Sequence, residues 1–351
     1  MTAARAAVLR AFGESPTIED VTLDALRDDE VLVRIAGTGI CHTDLTAIAG
    51  HVPLPLPVVL GHEGAGTVER TGASVTRLAP GDKVVLTYDA CGTCPACSSR
   101  RPAYCAEFAL RNSSGTRPDG SSTLGPVHGS FMAQSSFATH ANATERSAVK
   151  VETAVDAALL GPLGCSLMTG AGAVLNVLKP QPGSSIAVFG CGAVGLAAVM
   201  AARAAGCESV IAVEPDERRR DLAIRLGATE AHVPGTRLRG LDHSVETVGS
   251  SAVVEAAIAC LASPGSCATL GFRGPRNPVE IDQGRLLFGR TLTGVIEGDG
   301  DPHATIGRLL DLHSAGAFPF DSMIERYPIE DVAQALDDTR TGRVIKAVLV
   351  V

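Results

Sequence analysis

The chain has no tryptophan, only three tyrosines and nine phenylalanines, and aromatic residues make up 3% of it. Aromatic stacking on a substrate is thereby limited. No apolar run reaches the roughly 18 residues that a membrane-spanning helix requires. Basic residues are not in excess: 30 Lys and Arg stand against 38 Asp and Glu, for a net charge of -8. A broad phosphate-binding surface is not expected, so neither nucleic acid nor a membrane is an expected partner. Met1, Thr2, Ala3, Ala4 and Arg5 lead straight into a strand-like segment without the apolar core of a signal peptide, and a cytoplasmic location is expected. Internal repeats and low-complexity linkers are also missing.

What remains is a chain of globular composition, 45% hydrophobic and 19% charged over 351 residues, long enough for two domains. It carries ten cysteines. A reducing compartment disfavours disulfides, so clustered cysteines point to metal. Cys91, Cys94, Cys97 and Cys105 cluster, while Cys41 and Cys165 each sit in a glycine-containing motif. Cys191, Cys207, Cys260 and Cys267 are scattered and read as buried thiols.

Residues 1–150 are rich in short β-like runs broken by Gly and Pro, with no long helix between 60 and 126. From 155 to 178 the periodicity is helical. Then 185–189, 194–206, 209–213 and 216–226 read strand, helix, strand, helix, the pattern of a doubly wound parallel sheet. The pattern continues through 253–257 and 267–271, and the chain ends on an apolar strand at 346–351.

Gly190, Gly192 and Gly195 follow a strand and open a helix. In that context they read as a dinucleotide fingerprint: a tight turn, room for a pyrophosphate, and close helix–strand packing. Ala193 and Val194 lie at the helix N-terminus, where free N–H groups can meet phosphate. Glu214 closes the next strand, where an acid accepts from ribose hydroxyls and repels a 2′-phosphate, so NAD is favoured over NADP. The run Arg218, Arg219, Arg220 is the counter-signal.

The four clustered cysteines can close a tetrahedral shell around structural zinc; an iron–sulfur cluster or unligated thiols are the competing readings. Cys41, His62 and Cys165 together make a two-thiolate, one-imidazole set with a fourth position left open, the pattern of a catalytic zinc. Two zinc ions per chain are thus expected.

With these motifs in this order, the chain resembles the zinc-containing alcohol dehydrogenases of the medium-chain dehydrogenase/reductase superfamily, over essentially its whole length. Within them it is most similar to the aryl (benzyl) and allylic alcohol dehydrogenases, through CHTDL from Cys41, VLGHEGAG from Val59, RNSSGTRPDG from Arg111 and QSSFAT from Gln134. The resemblance implies a mixed α/β fold: a Rossmann doubly wound parallel sheet (156–296) inserted into a β-rich GroES-like catalytic domain (1–155, with 297–351 returning to it). It places the active site in the cleft between the domains. It implies that Cys41, His62 and Cys165 hold the catalytic zinc, that Asp44 orients His62, and that Glu63 is a carboxylate able to approach the metal. Thr43 would take the proton of a bound alcohol. His42 and Lys346 would contact the pyrophosphate, and Arg219 the ribose opposite Glu214. The expected partners are NAD, a small primary alcohol or its aldehyde, and other copies of the chain in a homodimer or homotetramer.

One departure concerns the proton route. Where many relatives carry a histidine three residues after the relay hydroxyl, this chain has Thr46, and His51 is near but off that position. Tyr88, Leu124 and Val295 are candidates to line the substrate pocket. The rival functions are a polyol dehydrogenase, disfavoured by Cys165 where such enzymes usually carry Glu, a thiol-dependent formaldehyde dehydrogenase, and a non-catalytic nucleotide-binding protein on the same scaffold.

Overall fold

A computed structural model describes residues 1–274 and 276–351. The chain divides into two compact units: Met1–Cys165 with Asp301–Gly307 and Met323–Val351, and Ser166–Gly300 with Arg308–Ser322.

The first unit is built on a seven-stranded sheet. In spatial order its strands are Ile324–Pro328, Lys346–Val350, Glu30–Gly39, Gly64–Thr71, Lys83–Leu86 and Ala148–Lys150, with His140–Thr144 pairing along Glu30–Gly39. All pairings are antiparallel except that of the first two strands. β-Branched Val31, Val33 and Ile35 alternate along Glu30–Gly39 and pack on Val68, Val84 and Leu86, which makes one face of the sheet a core. A three-stranded sheet, Thr17–Leu23, Thr2–Leu9 and Val58–Val59, completes the strands of this unit.

The second unit is a six-stranded parallel sheet in the order Glu230–His232, Ser209–Val213, Ser185–Phe189, Leu241–Glu246, Leu261–Thr269 and Arg290–Gly294. Counted from Ser185–Phe189 this is the 3-2-1-4-5-6 order of a dinucleotide-binding sheet. The central strands are apolar throughout because helices such as Ala193–Ala204 and Ser251–Ala259 cover them.

Three sequence expectations change. The stretch 155–178 is not one helix: short 3₁₀ turns at Ala157–Leu159 and Gly161–Gly164 precede the helix Ser166–Gly172. The turns pack on the seven-stranded sheet, where a Cβ on Gly164 would lie 2.0 Å from the Leu86 carbonyl oxygen. The units therefore part at Cys165, not at 156, and 308–322 belongs to the second unit instead of returning to the first. Residues 253–257 lie in the helix Ser251–Ala259; the strand before it, Leu241–Glu246, hides behind polar Asp242, His243 and Ser244.

Candidate active site

The strand Glu30–Gly39 delivers the chain to Cys41, which caps the short helix His42–Ile48 in extended geometry. Asp44, three residues on, turns its carboxylate back: Oδ2 accepts the Cys41 N–H at 3.0 Å. Its other oxygen accepts the Gly61 N–H at 3.2 Å and bonds His62 Nδ1 at 3.0 Å. One fully buried carboxylate thus ties two segments that are distant in sequence, and it fixes the imidazole with Nδ1 as donor. The opposite nitrogen, His62 Nε2, is buried without a hydrogen-bond partner.

Cys165 joins them from the turn after Gly164, whose carbonyl accepts the Thr87 hydroxyl at 2.8 Å. One ligand atom each from Cys41, His62, Glu63 and Cys165 lies within 4.8 Å of the other three. Hydrogen bonding to Cys165 draws the Cys41 thiol well below its ordinary range, helped by His62 and Lys346 and opposed by burial. Burial works against a charged His62, yet Asp44 and Cys41 hold it well above the usual imidazole value. Two thiols, one of them acidified, and an imidazole nitrogen with no hydrogen-bond partner are the donors that a divalent cation exchanges for protons, so the residues fit a metal ion.

Glu63 is fully buried and pairs with Lys346, Nζ lying 2.9 and 3.1 Å from its two oxygens. Burial pushes the Glu63 carboxyl up against the pull of Lys346. Burial lowers the Lys346 ammonium, but Glu63 and Cys41 outweigh it and raise it overall. The remaining donor of Lys346 goes to the Ile40 carbonyl at 2.9 Å. Lys346, expected at the pyrophosphate, is 3% exposed, with Nζ bonded to both Glu63 oxygens and to the Ile40 carbonyl. A Cβ on Gly39 would lie 2.0 Å from the Glu63 Oε2, so only glycine lets the strand pass there.

Thr43 is half-buried, its hydroxyl 3.8 Å from Cys41 Sγ, and His42 is exposed. Thr46 cannot stand in for the missing histidine, because its hydroxyl donates to the His42 carbonyl at 2.9 Å within the helix. His51 is exposed beyond the end of that helix.

The four clustered cysteines come together as a separate lobe. Sulfur separations of 3.6 Å for Cys94 and Cys97, 3.9 Å for Cys91 and Cys97 and 4.0 Å for Cys94 and Cys105 are far too long for disulfides. They match the ~3.8 Å edge of a tetrahedron with metal–sulfur bonds of about 2.3 Å. Backbone N–H groups of Thr93 and Cys94 point at Cys91 Sγ from 3.4 and 3.3 Å, stabilising thiolate charge.

In the second unit, Gly190 has φ +92° and a Cβ on Gly195 would lie 1.8 Å from the Gly190 carbonyl oxygen, so the turn accepts only glycine. Ala193 and Val194 begin the helix behind it, and Gly192 caps it. Glu214 is buried, taking the Cys191 N–H on one oxygen at 2.7 Å and the Asp216 N–H on the other at 3.1 Å. Its carboxylate is thereby fixed against the glycine turn. Arg219 is half-buried on the following helix, Glu217–Arg225, whereas Arg218 pairs with Asp216 and Arg220 donates to backbone carbonyls. Sequence reasoning missed Glu246 and Thr247 at the sheet's switch point. Glu246 accepts the N–H groups of Val248 and Gly249, and Thr247 donates to Phe189. The Thr-Val-Gly turn after a strand was the available signal.

The pocket candidates fare differently from expectation. Tyr88 lines a cavity of about 190 Å³ beside the cysteine lobe, with Cys97 and Arg146. Val295 packs with Ala173 and Ala268 in the core of the second unit, and Leu124 is buried in the first, with a Cβ on Gly129 placed 3.1 Å from it.

A β-rich unit bearing a histidine–thiol metal cluster and a parallel unit bearing a dinucleotide turn define a metal-dependent, nucleotide-linked dehydrogenase. Residues 27–153 match the model of the alcohol dehydrogenase GroES-like domain, and residues 193–314 that of the zinc-binding dehydrogenases. The chain is 45% identical to geraniol dehydrogenase of Castellaniella defragrans, over 99% of this chain and 97% of that one. Benzyl alcohol dehydrogenase of Acinetobacter calcoaceticus superposes with a TM-score of 0.97 at 40% identity, covering 100% of both chains. An alcohol dehydrogenase zinc-binding domain protein of Burkholderia ambifaria does so with 0.97 at 44% identity, over 100% of this chain and 99% of that one. The chain belongs to the zinc-dependent alcohol dehydrogenases of the medium-chain dehydrogenase/reductase superfamily. Zinc, NAD(H) and a small-molecule alcohol are what membership brings with it. No helix among the described residues is long and apolar enough to cross a membrane.

Proposed function

We propose that the chain oxidises primary allylic or aromatic alcohols to aldehydes with NAD, using Cys41, His62 and Cys165 as the ligands of a catalytic zinc. The observation that carries this reading is the convergence of those three residues with Glu63 within 4.8 Å, around a buried His62 Nε2 that has no other partner. The relatives named for geraniol and benzyl alcohol support the substrate class. A second zinc belongs in the lobe of Cys91, Cys94, Cys97 and Cys105.

A zinc ion at the open site supplies Lewis acidity that makes a bound alcohol easier to deprotonate. The chain's own residues do the rest. Asp44 keeps His62 in the tautomer whose Nε2 lone pair faces Cys41 and Cys165. Thr43, half-buried beside Cys41, receives the alcohol's proton at Oγ1 and passes it outward. Beyond Thr43 the route runs through ribose hydroxyls and water or through His51. Lys346 holds the Glu63 carboxylate in place and balances its charge. In the second unit Gly190, Gly192, Ala193, Val194 and Gly195 admit the pyrophosphate, and Glu214 and Arg219 flank the adenosine ribose. His42 is exposed next to Thr43, at the start of the same short helix.

Homo-oligomers belong to the same reading. The strand Arg290–Gly294 leaves one edge of the parallel sheet open, and Leu287 and Phe288 beside it are 72% and 71% exposed. A cytoplasmic location belongs to the same reading, since a reducing compartment keeps the thiols of Cys41, Cys91, Cys94, Cys97, Cys105 and Cys165 available for metal.

The test is NADH formation followed by absorbance with geraniol, benzyl alcohol and ethanol, with metal counted per chain. Turnover of the first two, lost on chelation and restored by zinc, is expected. Binding of two zinc ions and NAD without turnover of any alcohol would instead make the chain a nucleotide-binding module.

A further inference from the structure

The segment 130–137 carries an unusual backbone. Ser130, Met132, Ala133 and Ser135 have φ of +67°, +48°, +58° and +49°, left-handed values that side chains disfavour. Such a run persists only where its surroundings over-determine it, and it gathers at functional sites. The surroundings here are the ligand segment 59–64. Ser135 Oγ donates to the Val59 carbonyl at 2.7 Å, and the N–H groups of Ser136 and Phe137 donate to Gly61 and Leu60 at 2.9 and 3.0 Å. The Phe131 ring meets the His62 ring edge-on at 5.6 Å.

Gln134 makes the contact closest to the chemistry. Its Nε2 donates to the His62 carbonyl at 3.0 Å, and its Oε1 accepts the Gly64 N–H at 2.9 Å. The side chain is 2% exposed, so no water competes for either bond. One planar amide therefore brackets both peptide groups of Glu63, as a neighbouring strand would. It sets the torsions that aim the His62 ring and the Glu63 carboxylate toward a common point. Asp44 fixes the imidazole from its far side, but nothing in the Asp44 contacts fixes the backbone after His62.

We propose that Gln134, held by the strained strap 130–137, is a positioning residue that sets the placement of His62 and Glu63 for metal binding. It acts through the backbone and touches neither metal nor substrate. The proposal rests on the metal-site reading above and concerns how tightly and in what geometry that site holds its ion.

The experiment uses the zinc-loaded protein and Gln134→Met, which keeps length but can neither donate nor accept in this place. Ser135→Ala is the comparison, since it cuts two equally buried strap bonds, to the Val59 carbonyl and from the Phe131 N–H, neither of which ends on His62. Zinc release to a chelator and the visible spectrum after cobalt exchange are the readouts. The expected result is release of one metal equivalent about 10-fold faster from Gln134→Met, within the range for groups that orient ligands, with altered cobalt bands. The four-cysteine metal should be retained as in the parent, and Ser135→Ala should release at the parent rate even where its melting point falls. Parental release and spectrum in Gln134→Met overturn the proposal, as does an equal change in Ser135→Ala. If Gln134→Met does not fold, Gln134→Glu, which keeps the acceptor toward Gly64 and removes the amide donor toward His62, is judged by the same readouts. A parent protein holding only the four-cysteine metal overturns the underlying reading, and that is seen before any substitution.

Discussion

Replacing Lys346 by Met should destabilise the catalytic unit by about 3–5 kcal/mol, the usual consequence of removing one partner from a buried ion pair. Lys346 and Glu63 are 3% and 0% exposed, with nitrogen–oxygen contacts of 2.9 and 3.1 Å. At such a separation the Coulomb attraction is on the order of 5 kcal/mol for an effective dielectric near 20. That gain is set against the desolvation of both ions, so the intact pair adds little net stability while a lone Glu63 carboxylate is costly. The substitution also leaves the Ile40 carbonyl without its partner. It follows that Glu63→Gln combined with Lys346→Met should regain most of the loss, because no buried charge remains. The missing tryptophan makes the assay selective. With no Trp, tyrosine dominates the fluorescence, and Tyr88, Tyr104 and Tyr327 all lie in the first unit. Urea unfolding of the zinc-loaded single and double variants, followed by that signal, completes a double-substitution cycle. A Lys346→Met loss below about 1 kcal/mol, or a double variant no more stable than the single, refutes the reasoning, since a paired charge in this dry setting does neither.

Three further outcomes are expected. Asp44→Asn should weaken zinc at the open site by about 10–100-fold, measured by competition with a chromophoric chelator, with the cysteine lobe unaffected. Leu287→Ser with Phe288→Ser should shift the protein toward monomers in light scattering, as it removes apolar surface beside the open sheet edge. The Asp119 carboxyl is held at about 2 by the Ser121 backbone N–H and by Arg27. Because that value lies below the ordinary 3.8, the stabilisation is full above pH ~4 and disappears as pH falls through about 2. The difference in melting temperature between the parent and Asp119→Asn should therefore be present at pH 6 and vanish near pH 2.

Local sequence signals are legible where short-range geometry decides the structure. Gly190, Gly192 and Gly195 announce their turn because backbone crowding there admits nothing larger, and the spacing of Cys91, Cys94, Cys97 and Cys105 encodes one loop around one centre. The strands at 185–189 and 209–213 were legible because a strand covered on both faces is apolar throughout. The strand Leu241–Glu246 was missed for the converse reason: its polar residues are satisfied inside the sheet, as Ser244 is by the Ala257 carbonyl at 2.7 Å. The end of the first unit was misplaced because the turns before Cys165 are apolar like a helix and pack on the catalytic sheet.

The sequence by itself determined the inventory: a dinucleotide turn, a four-cysteine lobe, and Cys41, His62 and Cys165 as residues able to share one metal ion. Only the tertiary structure decided how those donors are held. Asp44 joins the segments of Cys41 and His62, Lys346 turns inward to Glu63 and the Ile40 carbonyl, and Gln134 grips the backbone on both sides of Glu63. Each of these contacts joins residues whose separation along the chain carries no local signal. Hydrogen bonds and ion pairs of this kind are specified by where the sheet's strands end, and that is fixed only when the core packs.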